Sequence, residues 1–278
     1  MKEFDVLKKN DFKFNKKFGQ NFIFDKNLLK AIVNDAQIDK NTNVLEIGCG
    51  SGTLTGEIAS VAKKVVGFEI DTNLKDVLSE TLEEYDNVEI VYKDILKTSI
   101  SEIENKFDGD YVIIANLPYY ITTPIIFKFL EESTRLKSLV IMVQLEVARR
   151  LCAKENTEDY GSITVALNSC ADVNLVRIVK RNMFTPAPNV DSAIVKIDFN
   201  EKYQINNKKI LEKVIRSAFA MRRKTLSNNL KSSFAFDACE IERLFKQNNL
   251  KNDVRGEALS VKQFVDLANS IATLVEER

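Results

Sequence analysis

The sequence predicts a doubly wound α/β fold with a mostly parallel seven-stranded sheet, followed by a small all-helical domain. Two observations lead to this prediction. Short apolar runs alternate with amphipathic segments as far as Gly161, and the connections between them are short. From residue 205 onward, apolar residues recur at helical spacing. We therefore place a domain boundary near residue 200, with residues 1–200 in the α/β domain and residues 201–278 in the helical domain.

The strands are predicted from short runs rich in Val, Ile and Leu, which favour extended structure. The last two strands are expected to be antiparallel, and the prolines of FTPAPN (184–189) stiffen the segment between them. The predicted strands are residues 43–47, 64–69, 88–92, 111–115, 138–143, 162–179 and 190–199.

The helices are predicted from apolar residues spaced three and four apart. In the α/β domain they alternate with the strands, which is typical of a doubly wound sheet. The predicted helices are residues 27–37, 53–62, 71–84, 124–133 and 145–154, then 207–220, 222–232, 238–248 and 260–275 in the helical domain.

The composition limits the class of protein. Of the 278 residues, 45% are hydrophobic and 29% are charged, as in globular chains. No apolar run approaches the ~20 residues that span a bilayer, and the charged N-terminus does not resemble a secretory signal. The chain has no histidine, which excludes a histidine base or metal ligand. Its four cysteines are far apart and fit reduced thiols, so we expect a cytoplasmic protein without a metal site.

A glycine-rich loop, Gly48-Cys49-Gly50-Ser51-Gly52, joins the first predicted strand to the following helix. Glycines here let the backbone turn tightly and approach a ligand closely. The loop lacks the Gly-Lys-Ser/Thr ending of a Walker loop, and Thr53 stands where the dinucleotide fingerprint requires its third glycine. Alone, such a run fits a nicotinamide cofactor site, a methyl-donor site or a tight turn. The acid Glu46, two residues before the loop, helps to decide between them.

Acidic residues also end the next two predicted strands. Glu69 lies about 20 residues past the glycines, where an acid can accept hydrogen bonds from both hydroxyls of an adenosine ribose. Asp94 can accept a hydrogen bond from the adenine amino group. With Glu46, these acids favour a cationic ligand and repel a pyrophosphate, and S-adenosylmethionine is an adenosine that carries a sulfonium and an ammonium. Each acid alone can equally be a solvated charge.

The segment Asn116-Leu117-Pro118-Tyr119 follows a predicted strand, and ligands bind at that end of an open α/β sheet. The exocyclic amine of adenine is a poor nucleophile because its lone pair is delocalised into the ring. The Asn116 side-chain oxygen and the Leu117 carbonyl can accept its two N–H groups, while Pro118 fixes the loop. Tyr119 can stack on the purine, and Phe184 can form the other face of a base sandwich. The alternative is a stiff loop with a packed aromatic.

In this combination, the motifs resemble those of the ribosomal RNA adenine dimethyltransferases. FGQNF (18–22), EIGCGSGTLT (46–55), NLPYYIT (116–122) and FTPAPNVDS (184–192) occur in the family's order, and the resemblance covers almost the whole chain. The segment SAFAMRRKTLSNNLK (217–231) is similar to the C-terminal signature of the housekeeping small-subunit branch. The macrolide-resistance branch, which methylates large-subunit RNA, does not usually carry that signature.

The resemblance implies a Rossmann-like domain that uses S-adenosylmethionine. It implies dimethylation of N6 of two adjacent adenosines in the 3′-terminal hairpin of small-subunit (16S) rRNA, within pre-30S particles late in assembly. We expect a monomer, although the sequence does not show the oligomeric state. Two residues depart from the family pattern, since many relatives have proline at Cys49 and asparagine at Tyr120. The implied cofactor contacts are Asn21, Ile23, Gly48, Glu69, Asp94 and Asn116, and we expect Glu46, Gly50, Ile70 and Ile95 to complete the site.

Three other functions remain compatible with the sequence. One is a large-subunit rRNA methyltransferase of the macrolide-resistance type. Another is a DNA or protein amide methyltransferase, because related Asn/Asp-Pro-Pro-Tyr loops serve those substrates. The third is a pre-ribosome assembly factor whose catalysis is dispensable.

Basic residues form clusters although the formal net charge is zero. Clusters of this kind bind phosphates in a salt-dependent way, although any one residue can equally be a solvated surface charge. The N-terminal cluster is Lys8, Lys9, Lys13, Lys16 and Lys17, interleaved with Phe12, Phe14 and Phe18. The others are Arg149 and Arg150, and then Arg216, Arg222, Arg223, Lys224 and Lys231.

The N-terminal cluster adjoins Asn21, which leads to a prediction about residues 1–17. We expect this segment to order on RNA and to close over the donor. Deletion of residues 1–17 should then weaken RNA binding more than cofactor binding, as measured by titration with each ligand. Equal loss of both affinities would contradict this.

Overall fold

The computed structural model describes residues 6–7, 9–10, 12, 14 and 18–276. The chain forms two compact units. The α/β unit contains the chain up to Ala148 together with Asn174–Phe199, and the helical unit contains Arg149–Val173 and the chain from Asn200 onward. The predicted boundary near residue 200 coincides with the last crossing between the units. Residues 149–173, which we expected in the α/β domain, group instead with the helical unit.

The main sheet has the predicted seven strands and is mostly parallel. Its order is β4-β3-β2-β5-β6-β9-β7, in which the pairs from β4 to β6 are parallel and β9 runs antiparallel to β6. Two short strands, β1 and β8, form a separate antiparallel pair. The strands are β1 (Phe22–Ile23), β2 (Asn43–Ile47), β3 (Lys64–Phe68), β4 (Val88–Val91), β5 (Tyr111–Asn116), β6 (Leu136–Gln144), β7 (Ala171–Val179), β8 (Phe184–Thr185) and β9 (Ser192–Phe199).

Helices connect the strands and make up most of the helical unit. In the described part of the chain, no helix combines the length and the apolar character needed to cross a bilayer. The helices are α1 (Lys26–Ala36), α2 (Thr53–Ala59), α3 (Lys75–Thr81), α4 (Ile100–Glu104), α5 (Thr122–Glu132), α6 (Leu145–Leu151), α7 (Ser162–Asn168), α8 (Lys208–Ala220), α9 (Leu226–Phe234), α10 (Ala238–Gln247) and α11 (Val261–Glu276).

The structure corrects the predicted strand at 162–179. Its first half is helix α7, and only Ala171–Val179 is a strand. The apolar residues Ile163, Val165 and Leu167 alternate with other residues, which is the pattern of a strand. In the structure these three side chains are buried in helix α7, and Val165 joins the hydrophobic core of the helical unit. Packing within that unit therefore outweighs the local preference of β-branched residues for a strand.

The winding of the sheet reverses at β2. This strand pairs in parallel with β3 on one side and with β5 on the other, so that Leu45 lies opposite both Val66 and Ile113. All five residues of β2 are buried, as expected for a central parallel strand covered on both faces. A doubly wound sheet opens a crevice where its winding reverses, at the carboxyl ends of the strands. The glycine loop (residues 48–52) and Asn116 both lie at that end.

Gly67 in β3 allows the glycine loop to pack against the sheet. A Cβ atom at this position would overlap Sγ of Cys49 and lie 2.8 Å from Cδ1 of Ile90. We expect Gly67→Ala to lower the free energy of unfolding by about 1–3 kcal/mol, because the added methyl overpacks a buried contact. Thermal or urea unfolding of the two proteins measures this difference.

Gly109→Ala is the matched control, because a Cβ there would have no neighbour within 4 Å. That variant should lie within about 0.5 kcal/mol of the parent. Equal stabilities for the two variants would contradict the proposed overlap at Gly67.

Candidate active site

A cavity opens at the carboxyl ends of the strands where the winding reverses. One wall is the glycine loop, and another is the segment 116–121, here called the Asn116 loop. Residues 18–24, here called the N-terminal strap, form a third wall. The lining consists of residues 18–23, Leu29, 46–51, 53–54, 68–70, 93–96 and 116–121.

The cavity brings together nearly all of the predicted site residues. The predicted cofactor residues that line it are Asn21, Ile23, Glu46, Gly48, Gly50, Glu69, Ile70, Asp94, Ile95 and Asn116. The predicted catalytic residues that line it are Asn116, Leu117, Pro118 and Tyr119. These residues come from segments nearly 100 positions apart, so only the sheet topology gathers them in one place.

The structure places Phe184 elsewhere and corrects its expected position beside the base. Its side chain is buried and belongs to the hydrophobic core together with Ile23 and Ile114. Its backbone forms β8 and pairs with Ile23 in β1. Phe184 therefore contacts the strap through the β1–β8 pair and the core, and it does not line the cavity.

Glu69 holds the glycine loop in place. Its Oε2 accepts a hydrogen bond from the Gly50 backbone N–H at 3.0 Å, and its Oε1 accepts one from the Asp71 N–H at 2.8 Å. The carboxylate is buried, and burial raises its pKa although the two backbone donors oppose that shift. Gly50 itself has a φ of +55°, and a Cβ there would lie 2.9 Å from the Phe22 ring. The loop therefore requires both the glycine and the acid.

Glu46 is buried in the cavity wall, where the nearby Thr55 hydroxyl acts to lower its pKa but is too poorly placed for a regular hydrogen bond. Its side chain is 1% exposed, and among the described residues neither carboxyl oxygen has a hydrogen bond. Burial raises its pKa to about 8, and the nearby charge of Glu69 adds to the increase. Buried polar groups are normally satisfied, so an unsatisfied acid on a cavity wall indicates a group that a ligand completes.

Asp94 caps a short turn at the far side of the cavity. Its Oδ1 accepts a hydrogen bond from the Leu96 N–H at 3.0 Å, which begins the 3₁₀ turn Ile95–Lys97. An ion pair of 3.8 Å joins its other oxygen to Lys97. The half-buried carboxylate therefore has a structural role as a cap while it lines the cavity.

Hydrogen bonds fasten the strap to three parts of the cavity. Gln20 Nε2 donates to Asp71 Oδ2 at 2.7 Å, and Thr53 Oγ1 donates to the Ile23 carbonyl at 2.9 Å. Asn116 Nδ2 donates to the Asn21 carbonyl at 2.9 Å. This last bond uses the donor end of the Asn116 amide, and its acceptor, Oδ1, remains for a ligand.

The two tyrosines of the Asn116 loop differ in their surroundings. Tyr119 is half-buried, and its hydroxyl lies 3.0 Å from Oγ of the buried Ser192. Burial raises the pKa of Tyr119. Tyr120 lines the same cavity but is 60% exposed.

Several residues that shape the site were not predicted from the sequence. Thr53 and the Gln20–Asp71 pair fasten the strap, and Ser192 contacts the Tyr119 hydroxyl. Gln20, Thr53 and Ser192 lie within motifs quoted in the sequence analysis, so membership of those motifs was the available signal. Nothing local indicated that Asp71 would contact the strap.

Part of the N-terminal basic cluster lies outside the described residues, namely Lys8, Lys13, Lys16 and Lys17. Lys9 forms an exposed ion pair with Glu80 at 2.8 Å. The interleaved rings of Phe12 and Phe14 pack on Phe22, at 6.0 and 5.3 Å between ring centroids. The side chains of Val6 and Leu7 are buried in the same apolar cluster. Deletion of residues 1–17 would remove this packing as well as the charges, so replacing the five lysines with glutamine tests the charge alone.

The cations of the helical unit are exposed, but one of them has an internal role. Arg222 Nη2 donates to the carbonyls of Glu158 and Tyr160, at 3.0 and 3.1 Å. It therefore holds the loop before α7. The other exposed cations of the set are Arg149, Arg150, Arg216, Arg223, Lys224 and Lys231.

The chain is similar to known proteins over nearly its whole length. The family model described as "Ribosomal RNA adenine dimethylase" matches residues 11–273. The chain is 42% identical over 278 residues to "Ribosomal RNA small subunit methyltransferase A" of Clostridioides difficile, covering 99% of this chain and 96% of that protein. It is also 42% identical over 275 residues to the protein of the same name from Bacillus cytotoxicus, covering 96% and 94%.

Two solved structures share the fold over most of the chain. A dimethyladenosine transferase from Plasmodium falciparum has a TM-score of 0.77 and 27% identity, covering 91% of this chain and 98% of that one. The 23S rRNA methyltransferase ErmE has a TM-score of 0.72 and 25% identity, covering 91% and 100%. The fold is thus similar both to a dimethyladenosine transferase and to a large-subunit methyltransferase.

The buried Glu46 predicts a pH-dependent stability of the ligand-free protein. Its pKa rises from an ordinary value of 4.5 to about 8 on folding. Between these values the unfolded chain loses a proton that the folded chain keeps, so this group destabilises the fold progressively as pH rises. Glu46→Gln cannot ionise and should lack this loss. The melting temperature of Glu46→Gln relative to the parent should therefore increase from pH 5 to pH 8.

The exposed Glu83→Gln variant controls for the removal of one acid from the chain. Melting curves of the three proteins across this pH range measure the effect. A constant difference between Glu46→Gln and the parent would mean that Glu46 ionises freely in the fold.

Proposed function

The chain belongs to the ribosomal RNA adenine dimethylase family, and we propose that its cavity binds S-adenosylmethionine and the target adenine side by side. It is an S-adenosylmethionine-dependent methyltransferase of ribosomal RNA. Its 42% identity to small-subunit methyltransferases, over nearly its whole length, assigns it to the small-subunit branch. Its proposed targets are two adjacent adenosines in the 3′-terminal hairpin of that RNA, each dimethylated on N6.

One observation carries this proposal, namely the orientation of the Asn116 amide at the end of β5. One of its two N–H groups donates to the Asn21 carbonyl at 2.9 Å, which fixes the amide and leaves Oδ1 as an acceptor for a substrate. An acceptor at this position suits a neutral amine, which donates hydrogen bonds and needs no strong base. The buried acids Glu46 and Glu69 line the same cavity and suit a cationic donor molecule.

The residues of the cavity fit the methyl donor in charge and in hydrogen bonding. When bound, S-adenosylmethionine supplies a methyl group that is activated by its sulfonium. We assign the ribose hydroxyls to Glu69, whose carboxylate is already oriented by two backbone N–H groups. Asp94 is assigned to the adenine amino group of the donor. Glu46 is assigned to the cationic end, because a cation would satisfy its otherwise unpartnered oxygens.

The Asn116 loop positions the acceptor amine. In the first transfer, Asn116 Oδ1 and the Leu117 carbonyl accept the two N–H groups and draw the nitrogen towards sp³ geometry, which restores its lone pair for attack on the methyl carbon. In the second transfer, the methylated amine has one N–H group left for these two acceptors. The amine proton leaves to solvent after the methyl group has been transferred. Pro118 keeps the loop in shape, and Tyr119 stacks on the extruded purine, its ring held by Ser192. We assign Phe184 no contact with the base, because its ring is buried and does not line the cavity.

The setting of the reaction is also part of the proposal. The cavity is lined entirely by residues of one α/β unit, which supports an enzyme that acts as a monomer. The exposed cations of the helical unit are proposed to contact rRNA phosphates within pre-30S particles. We place the reaction late in small-subunit assembly and in the cytoplasm, where those particles are found.

The proposal predicts which bases are modified. The parent protein, incubated with labelled methyl donor and unmethylated 30S particles, should label two adjacent adenosines near the 3′ end of the small-subunit RNA, detected by mapping of the modified bases. Asn116→Ala should lower this turnover about a hundredfold, because it removes a preorganised hydrogen-bonding group at the reacting atom. Labelling of naked DNA, protein or large-subunit RNA instead would refute the assignment.

Thr53→Val provides the matched control for Asn116→Ala. It removes a different anchor of the strap, the bond to the Ile23 carbonyl, and leaves the amide acceptor intact. The donor affinity of both variants, measured by calorimetry, separates binding from turnover. If Thr53→Val loses as much turnover as Asn116→Ala, then Asn116 acts only by fastening the strap.

A further inference from the structure

Tyr120 presents an aromatic ring to solvent at the entrance of the cavity. Its side chain is 60% exposed although it belongs to the cavity lining. The ring edge lies beside the turn of the strap, since a Cβ built on Gly19 would be 3.8 Å from Cε1 of Tyr120. An exposed ring at the edge of a binding cavity is a surface that a bound partner can cover.

Tyr119 and Tyr120 cannot serve the same base. They are consecutive residues of the 3₁₀ turn Tyr119–Ile121, in which successive side chains point about 120° apart. Tyr119 is held inside the cavity by its hydroxyl contact with Ser192, at 3.0 Å. Tyr120 therefore faces away from the position that Tyr119 flanks, towards the outside of the same entrance.

We propose that Tyr120 forms a second base-binding subsite, which stacks on the nucleotide next to the target adenosine. This inference rests on the proposed function, because it requires an RNA adenosine to enter the cavity. Extrusion of one base from a stack leaves its neighbour with one face uncovered. An aromatic ring at the entrance restores that stacking and holds the strand while the target base is inside.

The chemistry of the site favours a nucleobase over other partners. A base offers a flat π-face to a flat ring, and such stacking tolerates any base. The subsite needs no charge of its own, since the phosphates of the same strand are attracted by cations elsewhere on the protein. The adjoining nucleotide is also brought to this entrance by its covalent bond to the target, so the subsite can be used in every turnover.

The test uses small subunits that are reconstituted with rRNA whose 3′ hairpin is a ligated synthetic fragment. On intact hairpins, Tyr120→Leu and Tyr120→Asn should raise the KM for subunits about tenfold, whereas Tyr120→Phe should keep it within twofold of the parent. The affinity for S-adenosylmethionine should not change. Ile178→Ala, which removes a 52% exposed apolar side chain outside the cavity, should leave the KM unchanged and serves as the control.

A second arm identifies the stacked base. Hairpins carry an abasic residue on one side or the other of the target adenosine. On one of these two abasic hairpins, Tyr120→Leu and the parent should have the same KM, because the base that Tyr120 would stack on is missing. A parent-like KM for Tyr120→Leu on intact hairpins, or a full penalty on both abasic hairpins, would overturn the subsite. Failure of the parent to methylate intact subunits would instead overturn the proposed function.

Discussion

Parallel pairing of β2 with β3 on one side and with β5 on the other is the constraint on which the site depends. It places the ends of three strands together, and with them Glu46, Glu69 and Asn116. Because the winding reverses at β2, the helices that follow these strands leave the crevice open above their carboxyl ends. The glycine loop can then approach the sheet closely, since Gly67 leaves room for the Cys49 side chain.

The strap completes the cavity through bonds that span a long stretch of chain. The amide of Asn116 and the carbonyl of Asn21 are 95 residues apart in sequence and 2.9 Å apart in space. This one bond ties the strap to the Asn116 loop and also fixes the orientation of the amide. In the proposed reaction, the position of the strap and the alignment of the acceptor amine are therefore coupled through the same side chain.

The acidic groups of the cavity differ in whether the backbone already binds them. Glu69 and Asp94 each accept backbone N–H groups, so that their carboxylates are oriented before any ligand arrives. Glu46 has no such partner among the described residues and keeps a raised pKa, near 8. Preorganised acceptors lose little entropy on binding, whereas an unsatisfied acid gains the most from a ligand that completes it. The combination fits a cavity that is selective for a cationic adenosine.

The sequence by itself determined the alternation of strands and helices, the glycine loop and the acids that follow the strands. These features depend on local patterns: apolar runs, glycines and the strand ends that they imply. The motif at Asn116 was also recognisable, because its residue types fit one chemistry at one position of the sheet.

Only the tertiary structure decided the rest. It buried Phe184 in the core, where the ring packs in one cluster with Ile23 and Ile114. It made residues 162–168 a helix in which Ile163, Val165 and Leu167 are buried, and Val165 joins the core of the helical unit. The strap contacts of Gln20 and Thr53 and the isolation of Glu46 likewise arise from contacts between distant segments. Such contacts depend on the register of the strands and on side-chain packing, and the local pattern of residues determines neither.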